Sequence, residues 1–316
     1  MTTHAPSIHF GNAPCSWGTI EGFGEGVPAA QMLDELVQAG YKGTELGDYG
    51  YFPTDQGALR TALQDRGLTM LGAYEGVYLK DPDLHAEGEA RVLRVARQLK
   101  AVADLGDPDW QPLVVLADEH SRDPARSGQA GRVTPDLALN EEGWTTFTAG
   151  AERIARAVKA ETGLRTVFHH HCGGYVETPA EIAGFLARTD PEVIGLVYDT
   201  GHALYGSGGS DPATVLELLE RHRERVWYVH FKDMSAEVAR RTRLSGLSYQ
   251  QAVGAGVFCE LGRGVVPFAT VLGELKRSGY IGWVTVEQDV LPGMGEPLVS
   301  AAANREYLRT LEQARS

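Results

Sequence analysis

With 316 residues, 43% of them hydrophobic and 22% charged, the chain has the apolar material for a large buried core and the length of one large α/β domain. A formal net charge of -13, with no local Lys/Arg cluster dense enough to reverse it, repels phosphate backbones and argues against nucleic acid as a partner. Three cysteines without paired spacing (Cys15, Cys172, Cys259), no run of 18 apolar residues, and an amino terminus without a basic-then-apolar leader pattern predict a soluble, cytoplasmic protein with no membrane partner.

Short apolar strands alternate with amphipathic helical stretches throughout. In chain order the predicted strands are Ile8–Pro14, Lys42–Leu46, Thr69–Tyr74, Pro112–Ala117, Arg165–His170, Val193–Asp199, Val226–Phe231 and Trp283–Glu287. Between them, Leu33, Leu36 and Val37 recur at helical spacing, as do Trp144, Phe147, Ala151, Ile154 and Val158. Ala39-Gly40, Arg66-Gly67 and Ser278-Gly279 read as helix ends. Eight βα units predict an α/β fold, a (β/α)8 TIM barrel, in a single domain over 1–316. A doubly wound sheet is disfavoured because the first strand-to-helix turn, Cys15-Ser16-Trp17-Gly18, lacks the glycine-rich dinucleotide fingerprint. Two connections are long, at 118–140 and 234–264, as lids or subunit contacts often are.

In such a barrel the loops after the strands build the active site, so strand-end polar residues are the candidates. They are Glu45, Tyr74 with Glu75, His169-His170-His171, Asp199 with His202, His230 with Lys232, and Glu287 with Asp289. Imidazole and carboxylate together suit manganese, cobalt, zinc or iron better than magnesium or calcium. Bland readings stand beside these. Asp199 after a strand is also an ordinary cap, and a barrel histidine is also a core residue. Lys232 is harder to dismiss, because it shares a strand face with His230 and a lysine pointing inward needs a partner. In the triple histidine, Phe168 belongs between sheet and helices, which turns His169 and His171 inward. Cys15 and Cys172 read as packing residues, and Arg240-Arg241-Thr242-Arg243 as a solvated helix face or subunit contact.

NAPCSWG, GTELG, the HHH run, DTGHA, HFKD and GRGVVPFATVLGELKRSGYIGWVTVEQD together resemble the xylose isomerase-like barrel superfamily, and within it the inosose dehydratase branch, over essentially the whole chain. The resemblance implies a divalent metal, usually manganese or cobalt, with Asp199, His230 and Glu287 matching the family's ligands. His169 stands where most members have a glutamate and is taken as the fourth ligand. Glu177 is the other carboxylate nearby, carried away by the Gly173-Gly174 turn. Arg263 replaces the acidic residue more usual between Gly262 and Gly264.

The implied reaction is metal-dependent dehydration of inosose (2-keto-myo-inositol) or a related polyhydroxy ketone through an enediolate. His171 is the expected base. Lys232 would stabilise the oxyanion or protonate the departing hydroxide, with its pKa depressed by the metal. His202 and Glu45 would orient hydroxyls between walls formed by Trp17 and Tyr74. A sugar isomerase or epimerase using the same site is the alternative, and a non-catalytic sugar-binding barrel a further one. A DNA-repair nuclease is disfavoured by the acidic balance. The expected partner is a small polyol or keto-sugar, and homo-oligomerisation is implied by the resemblance alone.

Overall fold

The structure, a computed structural model, describes residues 8–20 and 26–313. Residues 1–7, the segment on which the expectation of no leader rests, lie outside the described residues. No helix among those described is long and apolar enough to cross a membrane.

Nine parallel strand segments run around the barrel: β1 (Ile8–Asn12), β2 (Gly43–Thr44), β3 (Thr69–Met70), β4 (Gly72–Val77), β5 (Leu113–Asp118), β6 (Arg165–His169), β7 (Ile194–Asp199), β8 (Val226–Phe231) and, after a short antiparallel pair β9 (Asp233–Met234) and β10 (Phe258–Cys259), β11 (Gly282–Val286). Their order is β3-β2-β1-β11-β8-β7-β6-β5-β4. The two edge segments are halves of one strand. The expected strand at 69–74 breaks at Leu71, whose N–H donates to Thr44 O at 2.8 Å while its carbonyl accepts from Leu113 N at 3.0 Å. The strand thus changes partner from β2 to β5 at that residue, and the sheet closes into an eight-stranded barrel.

Alternation sets what lies inside. Val167 precedes His169 by two positions on the same face, as Val197 precedes Asp199, Tyr228 precedes His230 and Thr285 precedes Glu287. Val167, Val197 and Tyr228 pack with Leu71, Leu113, Val115 and Trp283 in one buried cluster. This plug fills the barrel below the polar strand ends, each side chain contributing about 1.5–3 kcal/mol by leaving water. Residues of the other parity face the helices, where Phe168 stacks on Phe185 at 4.1 Å and meets Phe147 edge-on. Phe147 sits on the helix Glu141–Thr162, which also buries Trp144, Ala151, Ile154 and Val158. On the helix Ala29–Ala39, Leu33 and Leu36 are buried but Val37 is 41% exposed, so it does not belong to that helix's inner stripe. Gly40, at φ 92°, closes this helix in the left-handed conformation that a side chain would resist.

The two long connections carry short helices, Pro124–Gly128 in the first and Ala236–Leu244 with Tyr249–Gly254 in the second, and these touch each other. Ser127 Oγ donates to Gln250 Oε1 at 3.0 Å and Arg132 Nη1 to Leu247 O at 3.2 Å. Arg126 is buried, paired bidentately with Glu181 and donating to Gly174 O through two nitrogens. In the basic stretch Arg240 is exposed and pairs with Glu237. Arg243 instead turns inward to the carbonyls of Tyr205 and Gly209, so it is an internal clamp rather than part of a solvated face.

Asp233 holds the neck of the second connection. Its buried carboxylate accepts the N–H groups of Met234, Gly262, Gly264 and Val266 at 2.8–3.1 Å. A Cβ on Gly264 would stand 2.2 Å from Asp233 Oδ1, which explains the second glycine of Gly-Arg-Gly, while Arg263 between the glycines is exposed.

Asp118, at the end of β5, accepts from Tyr175 N at 2.8 Å and Leu79 N at 3.4 Å, and burial pushes its carboxyl up to about 7. A carboxyl raised in the folded state binds protons there that the unfolded chain has already lost, so its contribution to stability falls as pH rises from about 4 to about 7. Asp118→Asn removes this ionisation. The melting temperature of the variant relative to the parent is therefore expected to be higher at pH 8 than at pH 5; thermal melts showing a pH-independent difference would contradict it.

Candidate metal centre

Four side chains meet above the plug. His169 comes from the end of β6, Asp199 from the end of β7, His230 from β8 and Glu287 from the residue after β11, and one ligand atom from each lies within 4.8 Å of all the others. His169 Nε2 is 3.8 Å from Asp199 Oδ2, and His230 Nδ1 is 3.2 Å from Glu287 Oε1 and 3.9 Å from Asp199 Oδ2. The imidazoles are oriented from behind. His169 Nδ1 donates to the carbonyl of His170 at 2.8 Å, and His230 Nε2 to Glu45 Oε1 at 2.8 Å, which leaves Nε2 and Nδ1 respectively to face the cluster.

This donor set fits a transition-metal ion. Asp199 Oδ2 and His230 Nδ1 are buried and make no hydrogen bond, an expensive state for an anionic oxygen and an imidazole nitrogen unless something else engages them. The other oxygen of Asp199 accepts from His202 N at 2.7 Å, so the cap uses one oxygen and leaves the second available to a ligand role. Burial pushes Asp199 above the ordinary carboxylate range. Burial would raise Glu287 too, but the charges of Lys232 and His230 outweigh it and hold that carboxyl down.

Lys232 is buried beside the cluster. Its Nζ lies 3.0 Å from Glu287 Oε2, 3.3 and 3.4 Å from the two oxygens of Asp289, and 3.4 Å from His202 Nε2. Burial opposes its charge, yet Asp289 and Glu287 more than compensate and hold its pKa above the ordinary lysine value. Its stem runs across Gly201, where a Cβ would meet Lys232 Cγ at 2.6 Å.

His171 also faces this space, its ring 4.0 Å from that of His202 and 5.4 Å from that of His169. Its Nδ1 bonds to Cys172 O at 2.9 Å, leaving Nε2 toward the mouth, 3.4 Å from Tyr249 OH. Burial and the nearby charges of His120, His169 and Lys232 push its pKa well below the usual imidazole value. His202 is fully buried and accepts Cys172 N–H on Nδ1.

Other candidates lie elsewhere. Glu45 is 3% exposed beneath His230, its Oε1 also accepting from Tyr228 OH at 2.8 Å, and Tyr228 OH is bonded in turn to Thr285 Oγ1. Trp17 is fully buried with its Nε1 donating to Glu35, so it is a core residue and not a wall of the mouth. Tyr74 does reach the site, edge-on to His169, whereas Glu75 pairs with Arg91. Glu177 is carried away from the cluster, as its turn implied, and accepts the N–H groups of Gly131 and Gly173. Cys172 is buried with its Sγ against His202 O. Sequence reasoning passed over Asp289 as the partner of Lys232, although it was in view as a strand end. It also missed His120, two residues past β5 and readable by the same strand-end rule. Tyr249 comes from the second insertion, where no pattern marks it.

The xylose isomerase-like TIM barrel family model matches residues 33–311. The chain belongs to this family. Among xylose isomerase-like relatives, the inosose dehydratase of Geobacillus kaustophilus is 32% identical over 96% of this chain and 94% of its own length. The rhizopine catabolism protein MocC of Rhizobium meliloti is 33% identical over 98% of this chain and 90% of its own. The solved structure of an L-ribulose 3-epimerase superposes with a TM-score of 0.67, covering 98% of this chain and 96% of that one at 16% identity, a likeness of fold.

Proposed function

We propose that this chain is a metal-dependent dehydratase of inosose (2-keto-myo-inositol) or a closely related polyhydroxy ketone. The observation that carries the proposal is the cluster of His169, Asp199, His230 and Glu287, whose unpartnered buried atoms suit an ion, in a chain about one-third identical to inosose dehydratases along nearly its full length. These four residues would hold a divalent ion, manganese or cobalt by family resemblance, with zinc or iron also suited to the donor set. Bound there, the ion would supply Lewis acidity toward the negative charge that develops on the ketone oxygen.

The remaining work falls to side chains around it. His171, neutral at working pH, takes the proton from the carbon next to the ketone on Nε2, which the Nδ1 bond to Cys172 O leaves as the acceptor nitrogen and which the substrate would reach in place of the 3.4 Å contact with Tyr249 OH. The electron pair moves into the enediolate and then expels hydroxide from the neighbouring carbon. Lys232, kept cationic by Glu287 and Asp289, gives that hydroxide its proton, so that water leaves. His202 sets the positions of both, stacked on His171 and next to Lys232 Nζ. Glu45 acts through His230, holding its tautomer, rather than through a substrate hydroxyl.

Incubating manganese- or cobalt-loaded protein anaerobically with 2-keto-myo-inositol is expected to give an absorbing dione with loss of one water. A ketose altered at one carbon would favour the epimerase reading. Polyol binding without any product after prolonged incubation would favour the sugar-binding barrel and remove the dehydratase.

A further inference from the structure

We propose that His120 is a substrate-positioning residue whose Nε2 takes a hydroxyl of the substrate beside His171. The inference rests on the reading of the substrate as a polyhydroxy ketone, and extends the site to a loop that the four-residue cluster does not include.

The first observation is placement. The His120 ring lies 4.4 Å from that of His171, the expected base, and meets Tyr249 edge-on at 5.5 Å. It therefore bridges the first long connection and the second at the mouth of the barrel. The second observation is its hydrogen bonding. Nδ1 is engaged by Tyr74 OH at 3.2 Å, whereas Nε2 has no partner among the described residues and is not sealed from solvent. One nitrogen fixes the ring and the other is left open next to the reacting groups. With Tyr74 O–H donating to Nδ1, Nε2 carries the hydrogen and donates to a substrate oxygen. Burial and the charge of Lys232 push the ring's pKa down to about 4, so it is uncharged near neutrality.

The third observation is the backbone. Ser121, the next residue, has φ 73°, in the left-handed region that a side chain disfavours. It is held there from two sides, by its N–H on Gly173 O at 3.4 Å and by Gln250 Nε2 on its Oγ. Gly173 belongs to the turn after His171, and Gln250 to the helix that carries Tyr249. The same contacts that hold the unfavourable turn thus tie His120 to the two neighbours it faces. Strain maintained in this way, beside an open nitrogen in a catalytic mouth, is the pattern of a group held ready for a ligand.

A spacer role is separable from this one. His120→Phe keeps an aromatic ring between His171 and Tyr249 but has no nitrogen, and His120→Gln places an amide near the position of Nε2. With metal-loaded protein and 2-keto-myo-inositol, His120→Phe is expected to raise KM about tenfold with kcat within about threefold and the melting temperature unchanged, and His120→Gln to recover most of the loss. An unchanged KM in the Phe variant overturns the proposal, as does a loss that follows a lowered melting temperature and is not recovered by Gln. Calorimetric binding of myo-inositol to the same proteins separates this proposal from the dehydratase reading. If the parent turns nothing over, weaker binding in the Phe variant alone still supports the role of His120, and equal or absent binding removes it.

Discussion

Asp199→Asn is expected to take manganese or cobalt binding below detection at micromolar ion and to lower kcat/KM by at least about a thousandfold. The metal-free variant should melt no lower than the metal-free parent. The two oxygens of this carboxylate are differently placed. Oδ1 receives the His202 N–H, a bond that the Asn carbonyl oxygen retains, while Oδ2 is buried without a partner. Replacing a buried anionic oxygen that makes no hydrogen bond by an amide removes a charge that burial disfavours, so folding loses little as ligation is lost. Ion content of the purified protein, calorimetric titration and thermal melts read the three effects separately. Retained activity with bound ion would remove Asp199 from the ligand set.

Lys232→Met should be costly in both respects. The buried ammonium sits between Glu287 and Asp289, and its removal leaves their negative charges uncompensated, a loss on the order of 3–5 kcal/mol by urea denaturation of the metal-free protein. Turnover at saturating metal is expected to fall about a hundredfold to ten-thousandfold, as for the loss of a proton donor. Lys232→Arg should not rescue it. The lysine stem packs against Gly201 with no room for a Cβ there, and the planar guanidinium cannot occupy the same point between two carboxylates and His202. A folded Met variant with kcat within threefold of the parent would reduce Lys232 to a neutralising charge.

The barrel was legible because each strand repeats the same two-residue alternation. Val197 with Asp199 and Tyr228 with His230 set a hydrophobic plug and a polar rim on one face, and Phe168, immediately before the three histidines, told which way the run turns. What could not be read depends on closure or on distant packing. The break at Leu71 arises because the strand must pair with β2 on one side and β5 on the other, a demand that residues 69–77 do not express on their own. Glu45 looked like a rim residue because it ends a strand. β2 has only two laddered residues, and the carboxylate dips below the rim to Tyr228 and His230. Tyr249 comes from an insertion whose shape is set by contacts with distant residues, such as Gln250 on Ser127 and Ser121, whereas His120, two residues past a strand end, was within reach of the strand-end rule. Val37 fits a helical stripe in spacing, but the neighbouring elements leave its side of the helix uncovered.

The carboxylate of Asp233 gathers both ends of the second insertion at one point, immediately after the lysine. The neck is closed by Asp233, while the head is held by other contacts, among them Arg243 on the carbonyls of Tyr205 and Gly209 and Gln250 on Ser127. Residues between the knot and its return form a cartridge that presents Tyr249 to the mouth, while the knot keeps the strand end in register whatever the cartridge contains. The part that meets the mouth and the strand end that carries Lys232 are thus anchored by separate contacts.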